Sequence, residues 1–200
     1  MIKFGVNEND VAMTIAYLKN IGLLTPDANA VEYIKYTLRH RQAYIHTMLA
    51  LGLMSSIDEF DLKHDIDKVV TYNLLPKSEA SQLHRKYSIH HFPNTVSKRD
   101  KLRAVIDYEC ARLTKSDKPL NAYETILKYN PEHYADFEEI LIELGINSST
   151  HRGIVVNLCP EVYGSYMAKL YDSGIEGIVQ MKNLMHENNV ENAVRLINKG

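Results

Sequence analysis

Six of the nine histidines lie within a span of 52 residues, and two aspartates, Asp65 and Asp107, accompany them in the sequence. Imidazole nitrogens bind zinc, iron, manganese and nickel, and carboxylates extend this range to hard cations. Because a helical bundle can direct such side chains at one interior point, the spacing predicts a divalent metal centre. The candidate ligands are His40, His64, Asp65, His84, His90, His91 and Asp107.

The stretch 64–68, His-Asp-Ile-Asp-Lys, is the centre of this prediction. On a helix, His64 and Asp65 lie about 100° apart, so both can bind one ion at the edge of a buried face. Lys68 follows His64 by four residues and is expected on the same face, one turn away. A lysine beside a metal ion needs an anion between them, and a phosphate satisfies both. We therefore predict a phosphate contact for Lys68.

The spacing of the other histidines separates further candidate ligands from structural and surface residues. His84 and His91 are seven residues apart, so one helical face presents both if the helix continues almost to Pro93. His46 follows His40 by six residues, roughly 120° from its face, and is expected to be structural. The other three histidines stand alone and are expected at the surface; they are His133, His151 and His186.

Each candidate ligand also has an ordinary structural interpretation. His40 lies between two arginines, which is typical of a solvated helix face. Asp65 can pair with Lys68 three residues later, and Asp107 can pair with Arg103 four residues earlier. These alternatives predict exposed side chains that point in unrelated directions.

The apolar spacing predicts an all-α protein without a sheet, since the only strand-like patch after residue 145 is the short one at 154–156. We expect Ser55 or Ser56, and Ser97, to cap helices. The best domain boundary is at 146–153, which separates residues 8–145 from a C-terminal helical extension, 146–200. An apolar stripe from Met167 to Met185 in that extension is expected to be core or a lid, with a partner or dimer surface as the alternative. The expected helices span 9–20, 28–53, 56–72, 79–91, 98–114, 121–128, 131–144, 160–171, 174–187 and 190–198.

The composition limits the classes of function. The net charge of −2 gives no general attraction to double-stranded nucleic acid or to an anionic membrane. No apolar run approaches the roughly 18 residues of a membrane span, and the N-terminus lacks a secretory signal pattern. The two cysteines, Cys110 and Cys159, are expected to be small buried residues in a reducing compartment. These features favour a cytoplasmic protein.

The order His40, His64-Asp65, Asp107 resembles the H…HD…D signature of the HD-domain metal-dependent phosphohydrolases. With Lys68 it is similar to the HD-x-x-K form of the HD-GYP phosphodiesterases, where His84 and the pair at 90–91 also match in order. Small bacterial and bacteriophage proteins of this superfamily share, in addition, the stretches 37–40, Thr-Leu-Arg-His, and 107–108, Asp-Tyr. The resemblance covers about residues 33–125. Asp67 replaces a glycine and the GYP element is missing, so only the metal site is carried over.

This resemblance implies an HD-type helical bundle with His40, His64, Asp65 and Asp107 as ligands of one ion. His84, with His90 or His91, would bind a second ion or a phosphate. The implied reaction is hydrolysis of a nucleotide or another small phosphate ester by a metal-activated water, with Asp65 and Lys68 as catalytic residues and Mn, Fe, Co, Ni, Zn or Mg as the ion. The implied setting is the cytoplasm of a bacterium or a phage-infected cell.

Two alternatives to the enzyme stay open. One is a non-catalytic effector that binds metal and nucleotide, and the other is a helical bundle without metal. A homodimer is compatible with the enzyme and with both alternatives. Five basic residues can recruit an anionic substrate, or they can be ordinary solvated surface; they are Arg85, Lys86, Arg112, Lys115 and Lys118.

Overall fold

Helices are the only regular secondary structure in the part of the chain that the structure describes. The structure is a computed structural model, and it describes residues 7–24, 28–72, 74–115, 118 and 121–198. No strand occurs in these ranges, so the all-α prediction is confirmed. Single 3₁₀ turns cover Met54–Ser56 and Pro131–His133. The α-helices are α1 (Glu8–Asn20), α2 (Ala28–Ala50), α3 (Glu59–Leu62), α4 (Ile66–Thr71), α5 (Lys77–Tyr87), α6 (Lys98–Ala111), α7 (Ala122–Tyr129), α8 (Tyr134–Glu143), α9 (Pro160–Ser173), α10 (Ile178–His186) and α11 (Val190–Ile197).

Short polar side chains fix the starts of the helices that carry the site. Asp58 before α3 and Ser97 before α6 each form a capping box with the third residue of the helix. Such caps satisfy backbone N–H groups that have no partner inside the helix. The cap predicted at Ser97 is confirmed. The start predicted at Ser55 or Ser56 is wrong, because Ser56 lies in a 3₁₀ turn and Asp58 caps α3 instead.

Two hydrophobic cores hold the helices together. Apolar side chains of α1, α2 and α4 pack with those of α9, α10 and α11 in the larger core, and the smaller core joins α6, α7 and α8. The C-terminal stripe predicted as core lies in the larger one, so residues after 146 share a core with the first helices. The division at residue 145 stays a prediction about domains. No described helix is both long and apolar enough to cross a membrane.

A buried charge pair ties α9 to α1 and α2. Arg41 of α2 is fully buried and donates to Oδ1 of Asp10 in α1 at 2.9 Å. From α9, the Tyr163 hydroxyl donates to Asp10 Oδ2 at 2.6 Å, and the Tyr171 oxygen accepts from Arg41 at 3.0 Å. The solvated helix face considered around His40 is therefore wrong, because His40 and Arg41 are both buried.

The helix expected over 56–72 is interrupted at the centre of the predicted motif. It divides into α3 and α4, and residues 63–65 form a turn between them. Within this turn the backbone of His64 donates to the carbonyl of Asp61, and that of Ile66 donates to the carbonyl of Lys63. His64 and Lys68 therefore do not share a helix face, and that expectation is wrong.

The helix expected over 79–91 ends early, at Tyr87. Beyond it the chain turns, with backbone bonds from His91 to the carbonyl of Ser88 and from Asn94 to the carbonyl of His91. The Asn94 side chain also donates to the Ser88 carbonyl at 3.2 Å. Because these bonds replace those of a helix, the prediction that one helix presents both His84 and His91 is wrong.

Candidate metal centre

The seven predicted ligands lie together in the interior, although three helices and two turns supply them. His40 comes from α2 and Asp107 from α6, while His64 and Asp65 come from the turn before α4. His84 comes from α5, and the pair at 90–91 comes from the turn that follows it. All but His91 are buried, and His91 is half-buried.

One half of the cluster is arranged around Asp107. His40 Nε2 donates to Asp107 Oδ1 at 2.6 Å. His64 Nε2 lies 3.6 Å from the same oxygen and 3.8 Å from Oδ1 of Asp65. His64 thus stands between the two carboxylates, close enough to share an ion with either.

The other half is arranged around Asp65. Its Oδ1 lies 3.1 Å from His84 Nε2 and 3.6 Å from His90 Nε2. Its Oδ2 accepts a hydrogen bond from Lys68 Nζ at 2.7 Å. The ion pair between Asp65 and Lys68 that was considered from the sequence is therefore present, and it leaves Oδ1 facing the histidines.

Three of these inward-facing atoms have no hydrogen-bond partner within the described ranges, although all are buried. They are His64 Nε2, Asp65 Oδ1 and His84 Nε2. Although His84 Nε2 and Asp65 Oδ1 are close, they are not aligned for a hydrogen bond. Buried polar atoms are rarely left without partners, so this concentration indicates that another species satisfies them.

The donor set fits a divalent cation. Ligand atoms at about 2.0–2.3 Å from one ion are at most roughly 4.6 Å apart. Three sets of three atoms, with members within 4.8 Å of one another, approach this limit. They are His40, His64 and Asp107; His64, Asp65 and His90; and His84, His90 and His91. Because neighbouring sets share a histidine, the cluster offers ligands for one ion or for two adjacent ions.

Polar side chains hold three of the histidine rings from the side away from the centre. His84 Nδ1 donates to both oxygens of Asp67, at 3.0 and 2.9 Å. Ser88 Oγ hydrogen-bonds to His90 Nδ1 at 2.7 Å, and a 3.2 Å hydrogen bond joins Thr114 to His40 Nδ1. Each ring therefore turns its Nε2 toward the carboxylates. Such outer contacts fix the ring orientation in metal sites.

Sequence reasoning missed these three supporting residues. In the sequence Asp67 stands out only as a departure from a glycine, and no spacing distinguishes Ser88 or Thr114. Ser88 and Thr114 are 26 residues apart, so only the folded chain shows that they serve one cluster. For Asp67, its place in the His-Asp-Ile-Asp-Lys stretch was the one available signal.

His64 is held differently, by stacking. Its ring lies against Tyr44 of α2, with centroids 4.1 Å apart and planes 13° from parallel. The Tyr44 hydroxyl donates to Asp61 at 3.0 Å, and Arg103 of α6 donates to the same carboxylate at 3.1 Å. This chain of contacts connects the position of His64 to α2, α3 and α6.

Asp65 adopts the left-handed backbone conformation, with φ 61° and ψ 12°. Few side chains tolerate this region, but aspartate and asparagine are enriched in it. The conformation interrupts the helix and separates the directions of His64 and Asp65. Residues in such conformations concentrate at functional sites, where the surrounding structure holds them.

Burial and charge set the protonation of the cluster. Burial lowers the pKa of His40 to about 4 and that of His90 to about 3, so both rings are neutral at pH 7. Although burial alone raises the pKa of an aspartate, Lys68 and His64 hold the pKa of Asp65 well below its usual range. Neutral imidazoles and ionised carboxylates are the forms that bind metal.

A cavity of about 560 Å³ opens beside the cluster. His40, Asp65, His91 and Asp107 of the cluster line it, and so does Lys68. Of the five basic residues considered for recruiting an anion, Arg85, Lys115 and Lys118 line this cavity. The other two point elsewhere: Lys86 pairs with Glu191 at 2.6 Å, and Arg112 donates to the carbonyl of Ile154 at 2.5 Å.

The remaining histidines stay outside the cluster. His46 is buried and donates from Nδ1 to the carbonyl of Gln42 at 2.7 Å, in agreement with a structural role. His133 stacks on Phe92, and His186 is exposed. His151 was expected at the surface as a lone residue, but it lies 3.0 Å from the buried Glu109 and is only partly exposed.

Comparison with known proteins adds no relative to this description. No protein-family model matches the chain, and neither the curated proteins nor the solved structures give a significant match. The geometry of the cluster and its cavity is therefore the basis for inferring a function.

Proposed function

We propose that this protein is a metal-dependent phosphohydrolase of the HD type, which hydrolyses a nucleotide or another small phosphate ester. The observation that carries the proposal is the convergence of His64 Nε2, Asp65 Oδ1 and His84 Nε2, all buried and without hydrogen-bond partners in the described ranges. Their position beside a cavity lined by basic side chains distinguishes the site from an ordinary buried polar network.

In this proposal the chain binds the metal through the two carboxylates and the histidines around them. His40, His64, Asp65 and Asp107 form one ligand group, and His84 with His90 extends it. A divalent cation in such a site lowers the pKa of water and offsets the negative charge that develops on a phosphate during hydrolysis.

Lys68 contributes a fixed positive charge at the same place. Burial alone lowers the pKa of a lysine, but Asp65 raises the pKa of Lys68 above its usual value, so the ammonium stays protonated. An ammonium has three N–H donors. Asp65 Oδ2 accepts a hydrogen bond from one of them. The others are available to a phosphate oxygen in the cavity that Lys68 lines.

The proposal is tested by measuring metal content and phosphatase activity together. Purified protein is analysed for bound metals, then assayed with a panel of phosphate esters in the presence of Mn²⁺, Co²⁺ or Ni²⁺. We expect near-stoichiometric metal and turnover of at least one ester. Asp65→Asn should abolish both, whereas His186→Ala, a change of an exposed histidine outside the cluster, should alter neither.

Two outcomes would contradict the proposal in different ways. Bound metal and tight nucleotide binding without turnover would favour the non-catalytic effector. A protein that binds no metal, with the same thermal stability in chelator and in metal, would favour a purely structural bundle.

A further inference from the structure

The cavity beside the metal centre carries more positive charge than a single phosphate group can offset. Five basic side chains line it, against two carboxylates that both belong to the cluster, so the lining has a net charge of +3 before any metal binds. A divalent ion raises this further, whereas a phosphate monoester brings at most two negative charges. The basic residues are Lys68, Lys77, Arg85, Lys115 and Lys118.

Four of these cations form no close ion pair in the part of the chain that the structure describes. Lys68 pairs with Asp65, but within the described ranges Lys77, Arg85, Lys115 and Lys118 form no ion pair. Two of the four rest on aromatic rings instead, with Lys77 Nζ 5.2 Å from the ring centre of Tyr36 and Lys118 Nζ 4.7 Å from that of Tyr129. Unpaired cations gathered around one cavity repel one another, so their arrangement is stabilised when an anion lies between them.

The four cations without ion pairs come from two segments of the chain. Lys77, Ser81 and Arg85 follow one another at four-residue spacing and form a stripe along α5, and Lys115 and Lys118 follow α6 in the sequence. Along α5 the stripe rises by about 12 Å. One phosphate at the metal centre is too small to occupy positions spread over that length.

We infer that the substrate of this site is an organic di- or triphosphate, with one phosphate at the metal centre and the others held by Lys77, Arg85, Lys115 and Lys118. This inference rests on the proposed function for the reaction, but its binding claim depends only on the chain's own cations. A cavity of about 560 Å³ has room for an organic group as well, and Tyr36, Tyr72 and Tyr129 line it with aromatic rings.

The test compares inorganic phosphate, pyrophosphate and tripolyphosphate as probes, by calorimetric titration of the full-length protein near physiological salt. The metal-free protein is titrated first, because polyphosphates extract metal ions. The metal-loaded protein follows, with its metal content measured afterwards. We expect tripolyphosphate to bind at least about tenfold more tightly than phosphate, as two or more added charge-assisted contacts imply.

Substitutions test whether the stripe on α5 is responsible for the preference for tripolyphosphate over phosphate. Lys77→Ala combined with Arg85→Ala should weaken tripolyphosphate binding by about tenfold and phosphate binding by less than about threefold. Lys86→Ala is the matched control, because it removes an exposed lysine next to Arg85 that lies outside the cavity. All three side chains are exposed, so helical circular dichroism should remain unchanged.

Equal affinity for phosphate and tripolyphosphate would overturn the inference, and so would an equal loss in the Lys86→Ala control. Turnover of monoesters without any polyphosphate preference would reject the inference and leave the proposed function intact. A polyphosphate preference without turnover of any ester would support the inference and reject the hydrolase.

Discussion

Asp67 and His84 are joined by a hydrogen bond in which the ring Nδ1 faces both carboxylate oxygens, at 3.0 and 2.9 Å. Both residues are buried, and the bond leaves His84 Nε2 directed at Asp65. Asp67 therefore fixes the ring in the orientation that a metal ligand would need, although Asp67 itself belongs to none of the candidate ligand groups.

Replacing Asp67 tests this positioning role. Asp67→Ala should weaken Mn²⁺ or Zn²⁺ binding by about 10–100-fold, the usual effect of losing an outer carboxylate behind a ligating histidine. Asp67→Asn retains an acceptor oxygen and should lose less. Metal affinity is measured by titration with a fluorescent chelator as competitor. Identical affinities in the wild type and Asp67→Ala would contradict the role.

Substitutions of Asp65 separate its charge from its backbone conformation. Asn and Ala both remove the negative charge that attracts a cation and pairs with Lys68, so both should lose bound metal. Asparagine tolerates φ 61°, whereas alanine should cost about 1 kcal/mol more in unfolding free energy. Urea denaturation of the two metal-free variants measures this difference. If Asp65→Ala is as stable as Asp65→Asn, the left-handed turn is not under the expected strain.

The stability of the metal-free protein should fall as the solution is acidified. Burial lowers the pKa of His40 to about 4 and that of His90 to about 3, below the usual value of 6.5. The unfolded chain therefore takes up these protons first, so the free energy of unfolding decreases as pH falls from 6.5 towards 4. Above pH 6.5 the two rings contribute no slope.

Chemical denaturation at several pH values checks this behaviour. His90→Gln should flatten the dependence between pH 6.5 and 4, because it removes one buried ring that must stay neutral. The exposed His186→Gln variant should retain the full slope. Equal slopes in wild type and His90→Gln would show that His90 is not buried in the neutral form.

The two cysteines should differ sharply in reactivity. Cys110 is fully buried, and burial raises the pKa of its thiol well above the usual value, while Cys159 is partly exposed. We expect a thiol reagent to modify Cys159 alone in the native protein and both residues after unfolding. Mass spectrometry of the labelled peptides identifies the site. Native labelling of Cys110 would contradict the packing of α6 against α2.

The sequence predicted the residues of the cluster better than the way they are brought together. His40, His64, Asp65 and Asp107 were identified from residue type and order, and the helices that carry the first and last of them were placed within a few residues. The break at Asp65 has no proline or glycine to indicate it, because an aspartate adopts the left-handed turn. His90 was assigned to a helix that Asn94 and Ser88 end early through their hydrogen bonds.

The supporting contacts could not be predicted for a related reason. Tyr44, Asp61 and Arg103 hold His64 through one stack and two hydrogen bonds, but each of them is also an ordinary helix residue. Their roles arise from distances between helices, which periodicity does not give. The basic lining of the cavity could not be predicted either. Arg85 and Lys86 are neighbours in the sequence, but only Arg85 lines the cavity.

The bond between Tyr163 and Asp10 joins residues 153 positions apart, beside the helix turn that carries His40. During synthesis α1 and α2 emerge long before α9, so Arg41 and Asp10 initially lack part of the shell that buries them. Contacts at such long separation form late and slow the folding of a helical protein. The packing around the helix turn beside His40 is thus completed only after α9 has left the ribosome, so this side of the candidate metal centre becomes ordered after residues 160–173 have been synthesised.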